Sequence, residues 1–209
     1  MLKYERQLNF DKRYEQLKEV GTKPIVTICK AAVLYTGIYF LFKCMLSIFP
    51  SYDAWDNGRM WFIFYNITFI KIDILYFMVG LLTYCWGTIR LRKITMLNHS
   101  VRINERIQPS RILSHSFYAE TRHPMYGSFI MIYAGILLSS RSLYGLLGIL
   151  LFVILQYWNA AREERQLIQF FGEEYRSYQT RVRCRCVTSR QVAVLIIFFA
   201  LTMLGFMFG

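Results

Sequence analysis

The sequence predicts an all-α integral membrane protein of about five transmembrane helical segments, two of them joined as a short helical hairpin. Three observations predict it. Hydrophobic residues make up 55% of the chain and charged residues 18%, with a mean hydropathy of +0.30; a soluble domain typically carries about 25% charged residues. The apolar residues fall in long blocks, not in short periodic stripes. The Lys and Arg residues collect in alternate connections between those blocks.

The elements follow in order. Residues 1–24 form a charged N-terminal segment ahead of any apolar block, so no cleavable signal peptide is expected. Two apolar blocks follow, 25–49 and 60–86. At ~1.5 Å rise per residue each crosses ~30 Å of hydrocarbon with some tilt, so 25–86 reads as two transmembrane helices. Lys30 and Lys43 lie near span ends and are expected to snorkel. Lys71 and Asp73 lie near the middle of the second block, on different sides of a helix, as structural links to other helices. Blocks 125–140 and 142–158 are shorter and share the tight connection Ser139-Ser140-Arg141-Ser142. They predict a hairpin, 125–158, that barely spans or partly re-enters the membrane. A basic segment from residue 184 leads to a last block, 191–208, and the C-terminal transmembrane helix.

Charge sets the expected orientation. Six Lys/Arg lie in residues 1–24, seven in 87–124 and seven in 159–190, while the intervening loops hold one each, Arg59 and Arg141. The rich segments are therefore expected in the cytosol. The net charge of +12 follows from this topology and suits anionic headgroups. It argues against nucleic acid as a partner, because the charge is spread over three loops. The five cysteines form no disulfide framework, and Cys184-Arg185-Cys186 has too few partners for zinc. No metal is expected.

Two polar clusters flank the hairpin. Arg122-His123-Pro124-Met125-Tyr126 directly precedes it, and Arg162-Glu163-Glu164-Arg165 follows it. Polar groups at the edge of lipid are costly, so the clusters are expected to form one cytosolic site from both ends of the hairpin. Pro124 disfavours helical geometry at His123 and suits the first turn of the next helix. His123 and nearby backbone donors then lie at a helix N-terminus, which favours an anionic group. The second hairpin helix is expected to run on past Trp158 and stop at Gly172. A short amphipathic helix follows, with Tyr175 and Tyr178 one turn apart as interfacial anchors over the site. Between residues 88 and 121, alternation around Gln108-Pro109-Ser110 predicts a short hairpin on the membrane surface.

These motifs resemble those of the integral-membrane methyltransferases, the isoprenylcysteine carboxyl methyltransferases and phospholipid N-methyltransferases. The family pattern runs Gly-Pro-Tyr-Arg, Arg-His-Pro-x-Tyr, an apolar hairpin, Glu-Glu-x-x-Leu, Phe-Gly, Tyr, Tyr and Arg-Val. Here it reads Ser116-Phe117-Tyr118-Ala119, Arg122-His123-Pro124-Met125-Tyr126, Glu163-Glu164-Arg165-Gln166-Leu167, Phe171-Gly172, Tyr175, Tyr178 and Arg181-Val182. The resemblance covers about residues 85–183, so 87–183 reads as the methyltransferase-like core. Ser116-Phe117 stands for the family's Gly-Pro, Ala119 for its Arg, and Arg183 for the Pro often found after Arg-Val.

The resemblance implies S-adenosyl-L-methionine as cofactor, bound on the cytosolic side. His123, Pro124 and Tyr126 line its pocket, with Tyr118 near it. Glu163 or Glu164 holds the methionine ammonium or a ribose hydroxyl. Acidic residues suit the cofactor's cations, Arg or a helix N-terminus its carboxylate, and Tyr faces its adenine or sulfonium. Arg122 or Arg162 fixes an anionic acceptor, so Arg122, Arg162 and Glu163 are the expected catalytic residues. The acceptor is a lipid or lipidated molecule, a carboxylate such as a prenylcysteine or an amine such as a phospholipid headgroup. The expected membrane is the endoplasmic reticulum or a bacterial inner membrane. Two other readings stay open here, an NADPH-dependent membrane sterol or lipid reductase and a catalytically silent membrane scaffold.

Overall fold

The computed structural model describes residues 24–49, 52–55, 60–64, 67–102 and 112–208. The charged segment 1–23 and the surface hairpin expected around residues 103–111 lie outside them. Among the described residues the order is α1 (Pro24–Leu46), β1 (Met60–Phe64), β2 (Ile67–Ile70), α2 (Ile72–Arg102), α3 (Phe117–Glu120), α4 (Pro124–Ser139), α5 (Leu143–Phe171), α6 (Glu173–Arg181) and α7 (Ser189–Phe208). The fold is an all-α membrane fold carrying one two-stranded hairpin.

Helices α1, α5, α7 and the part of α2 from Ile72 to Asn98 are long and apolar enough to cross a membrane. Val33, Leu41, Ile154, Ile197 and Met207 point outward, an arrangement that suits lipid and not water. The hairpin arms are unequal. Helix α4 has 16 residues, about 24 Å at ~1.5 Å per residue, whereas α5 has 29. Only the first arm is short. The second runs through the membrane and beyond it, as the uninterrupted helical pattern past Trp158 requires, and stops where Gly172 adopts φ +55.

The second span starts later than the apolar block does. Residues 60–64 and 67–70 pair as antiparallel strands, Phe62 opposite Phe69 and Phe64 opposite Ile67. Hydropathy does not distinguish a strand from a helix, and these residues are aromatic and β-branched, which suits a strand. Helix α2 then begins at Ile72 and continues to Arg102, through residues that polarity alone reads as loop. Asp73 therefore sits in its first turn, not mid-span.

Helices α2 and α4 cross in close contact. A Cβ on Gly80 would lie 2.5 Å from the Gly135 carbonyl, and one on Gly135 would lie 2.6 Å from the Gly80 carbonyl. Glycine lets the two backbones touch. Tyr35 and Tyr39 of α1 pack with Phe77 and Tyr84 of α2 beside this crossing. At the end of the bundle where α4 turns into α5, a buried polar knot ties the elements together. Asp73 accepts from Arg141 Nε at 2.6 Å and from Lys43 Nζ at 3.1 Å, and Arg141 Nη2 lies 3.6 Å from Asp53. Lys43 thus does not snorkel. It is 5% exposed, because an acid on the neighbouring helix offers it a partner inside the bundle. Asp73 is the interhelical link that its position predicts, while Lys71 is exposed.

Candidate active site at the two ends of the helical hairpin

The opposite end of the hairpin carries the site. Pro124 opens α4 at its first position, with His123 as the preceding cap residue, its backbone outside helical geometry. On α5, Glu163 and Glu164 lie about six helical turns beyond the Ser142 cap. The antiparallel hairpin therefore returns these carboxylates to the level of His123. His123 is buried between them, Nδ1 at 3.4 Å from Glu163 Oε2 and Nε2 at 3.4 Å from Glu164 Oε1. Burial by itself pulls the imidazole's proton affinity down. The two carboxylates outweigh that and leave it raised above the ordinary histidine value.

Glu164 is the buried hub. Arg122 Nε donates to its Oε1 at 2.7 Å, and Arg185 Nη2 lies 3.0 Å from its Oε2. Glu163 differs, since its side chain is 47% exposed. The Tyr126 ring lies 5.7 Å from the His123 ring. The pair thus divides into one carboxylate locked by guanidiniums and one open to a ligand.

A strap of chain, residues 182–186, closes over this cluster. The Arg122 N–H donates to the Cys184 carbonyl at 3.0 Å, and the His123 N–H to the Arg185 carbonyl at 2.8 Å. Arg122 Nη1 donates to the Val182 carbonyl at 2.7 Å and the Arg183 carbonyl at 3.2 Å. The strap runs so close to α4 that a Cβ on Gly127 would collide with the Cys186 carbonyl. Cys186 is fully buried, and burial pushes its thiol up to about 12. The backbone donor of His123 is therefore used by the strap and does not face a ligand.

Helices α3 and α6 complete the wall. The Tyr118 hydroxyl donates to Asn98 Oδ1 at 2.9 Å, and the Tyr118 carbonyl accepts from the Tyr178 hydroxyl at 2.7 Å. Tyr175 and Tyr178 are each 2% exposed. They are not interfacial anchors, because α6 folds back with Val182, Ile112 and Leu167 into a small core of its own. The Tyr175 hydroxyl is buried without a hydrogen-bond partner, and burial followed by the charge of Glu164 pushes its pKa up.

The structure thus brings together Arg122, His123, Pro124, Tyr126, Glu163 and Glu164. Tyr118 is adjoining, with its hydroxyl turned to α2. Arg162 stands apart. It is exposed, forms no ion pair among the described residues, and precedes Glu164 by two residues, which places it on another face of α5. Arg185 and Tyr175 were not expected in the site. One arginine in a basic segment looks like any other until the strap is seen to deliver it.

A family profile described as phospholipid methyltransferase matches residues 68–174, half of the chain. The chain belongs to the phospholipid methyltransferase family. As a member it is a membrane methyltransferase of phospholipid-like acceptors. The matched stretch runs from β2 into α6 and includes both polar clusters, but it ends before the strap. No curated protein and no solved structure matches the chain.

Proposed function

We propose that the chain is an S-adenosyl-L-methionine-dependent methyltransferase whose acceptor is a lipid or lipidated carboxylate or amine. The site is proposed to face the cytosol, on the strength of the Lys/Arg distribution. One observation carries the reading. The hairpin ends converge on a half-open cluster with one locked and one accessible carboxylate, beside buried polar atoms that have no protein partner. The Tyr175 hydroxyl is such an atom, and buried polar atoms normally have partners. A ligand with several polar groups fits that environment.

Glu163, the exposed carboxylate, suits the cofactor's ammonium or a ribose hydroxyl, and Tyr126 beside it offers an aromatic face to a sulfonium. Glu164 serves another end, since both its oxygens already hold arginines and it fixes the guanidiniums in place. When bound, S-adenosyl-L-methionine supplies an electrophilic methyl group. The chain's own contribution is to orient, to exclude water and to manage one proton. A carboxylate acceptor arrives ionised. An amine acceptor must first lose a proton, to water or to a nearby carboxylate of the cluster.

An apolar groove of about 300 Å³ runs along the membrane face of α5 and α7, lined by Leu138, Ile149, Val153, Val192, Leu195 and Phe199. Val153 and Leu195 also pack in the cluster that contains Tyr126, Ile130 and Cys186. Apolar contact is therefore continuous from lipid to the site, which supports lateral entry of an acyl or prenyl chain.

The test is calorimetric titration of detergent-purified protein with S-adenosylhomocysteine and, separately, NADPH, repeated on Glu163→Ala and His123→Ala. Saturable S-adenosylhomocysteine binding, weakened by both substitutions, is expected. Binding of NADPH alone moves the chain to a reductase, and binding of neither removes the methyltransferase reading.

A further inference from the structure

We propose that Arg185 seats an oxyanion in this site, either the carboxylate of the cofactor or the phosphate of the acceptor lipid. The proposal rests on the methyltransferase reading above and adds a binding residue from outside the matched family region. It follows from comparing the cations at the cluster. Arg122 commits Nε to Glu164 and Nη1 to the Val182 and Arg183 carbonyls, and its side chain is only 10% exposed. Arg162 faces away. Arg185 alone of the three combines anchorage on the cluster with an open side chain. Its Nη2 is held 3.0 Å from Glu164, its Nε is buried with no partner, and its side chain is 37% exposed. A guanidinium has five N–H donors in a planar fork, so most of that fork remains available to a carboxylate or phosphate, the groups it matches best.

Position strengthens the case. The Arg185 carbonyl accepts the His123 N–H at 2.8 Å, which pins the residue beside the first turn of α4. The positive end of that helix adds to the attraction for an anion. The following residue, Cys186, is fully buried against α4. The guanidinium is thus fixed at both its backbone and one nitrogen before any ligand arrives, and little ordering remains when the anion binds. Glu164 supplies the fixing charge, a role distinct from that of Glu163.

Two probes separate the two sources of the anion. Calorimetry compares S-adenosylhomocysteine with 5′-methylthioadenosine, which lacks the amino-acid portion, on wild type, Arg185→Gln and Arg185→Lys. Methyl transfer to phosphatidylethanolamine in nanodiscs gives KM for the same proteins. If Arg185 seats the cofactor carboxylate, Arg185→Gln weakens S-adenosylhomocysteine roughly 10- to 100-fold and leaves 5′-methylthioadenosine unchanged. If it seats the lipid phosphate, S-adenosylhomocysteine affinity holds and KM for the phospholipid rises by a similar factor. Arg185→Lys keeps the charge without the fork and should fall between. It decides the matter if the Gln variant fails to fold, as loss of 5′-methylthioadenosine binding would reveal. A wild type that binds S-adenosylhomocysteine, with neither affinity nor KM moved by either substitution, overturns the seat alone. A wild type that binds no S-adenosylhomocysteine and methylates no lipid overturns the methyltransferase reading and the seat with it.

Discussion

Arg122 donates to Glu164 at 2.7 Å across 42 residues of sequence, and this bond joins the start of the helical hairpin to its end. Glu164 is 4% exposed, and Arg122 is otherwise satisfied only by strap carbonyls. Replacing Glu164 by Ala leaves two guanidiniums without their acid. Removing one partner of a buried ion pair costs about 3 kcal/mol or more. The expected result is a destabilisation of that size in a reversible unfolding titration in detergent. A loss below about 1 kcal/mol would mean that the pair does not hold the hairpin and strap together.

His123 predicts a pH dependence. Its folded pKa is raised above the ordinary 6.5, because Glu163 and Glu164 outweigh burial. A raised pKa means that the folded state binds the proton more tightly than the unfolded state. The resulting stabilisation is fully present below about pH 6.5, the unfolded value, and is lost as pH rises through the higher folded value. Histidine NMR should place His123 above 6.5, and Glu163→Gln should lower it. A wild-type value below 6.5 would show that burial dominates instead.

Gly127→Ala should dislodge the strap. Its new Cβ has no room beside the Cys186 carbonyl, and the backbone on either side must move. Native Cys186 is buried and its thiol pushed up to about 12, so it should resist maleimide at neutral pH. In Gly127→Ala its labelling should quicken at least tenfold, about the change expected for an opening made 1.4 kcal/mol easier. Unchanged protection would mean that the strap does not depend on this close approach.

Asp73→Ala should be among the most destabilising changes far from the site. It strips the acid from both Lys43 and Arg141, each 5% exposed or less, at an expected cost of about 3–5 kcal/mol. Adding Lys43→Met should recover part of that loss, since one uncompensated charge disappears. Thermal melting of both variants checks the prediction, and no recovery in the double variant would put the cost in Arg141 and the turn.

Ser116→Gly should stabilise the protein. Ser116 holds φ 55 and ψ −127, a region that side chains resist and glycine adopts freely. This is the position where the family's pattern has glycine. A gain of about 1 kcal/mol is expected, read as a rise in melting temperature. No gain would show that the Ser116 conformation is not strained.

Several site residues were legible because chemistry in the chain marks them. Pro124 announces a helix start, so His123 had to lie at its cap. The adjacent acids Glu163 and Glu164 return to that level because a hairpin of nearly uninterrupted apolar residues leaves them no other place. The difference between the two acids was not legible. It arises from which face of α5 meets Arg122 and Arg185, and both partners come from distant segments. The pairing of β1 with β2 is not legible, because apolar aromatic runs satisfy hydropathy as a helix or as a strand. Tyr175 and Tyr178 looked like interfacial anchors because their burial depends on α6 folding back, which local pattern does not encode.

The sequence by itself determined the membrane class, the hairpin, the two clusters and the family, because apolar block length, proline and glycine punctuation and motif spacing are local properties of the chain. Only the tertiary structure decided that Glu164 is locked and Glu163 open, that Arg162 faces away and that Arg185 enters the site. Those facts depend on helix rotation and on the strap's path over α4, and both are fixed by packing between residues far apart in the chain.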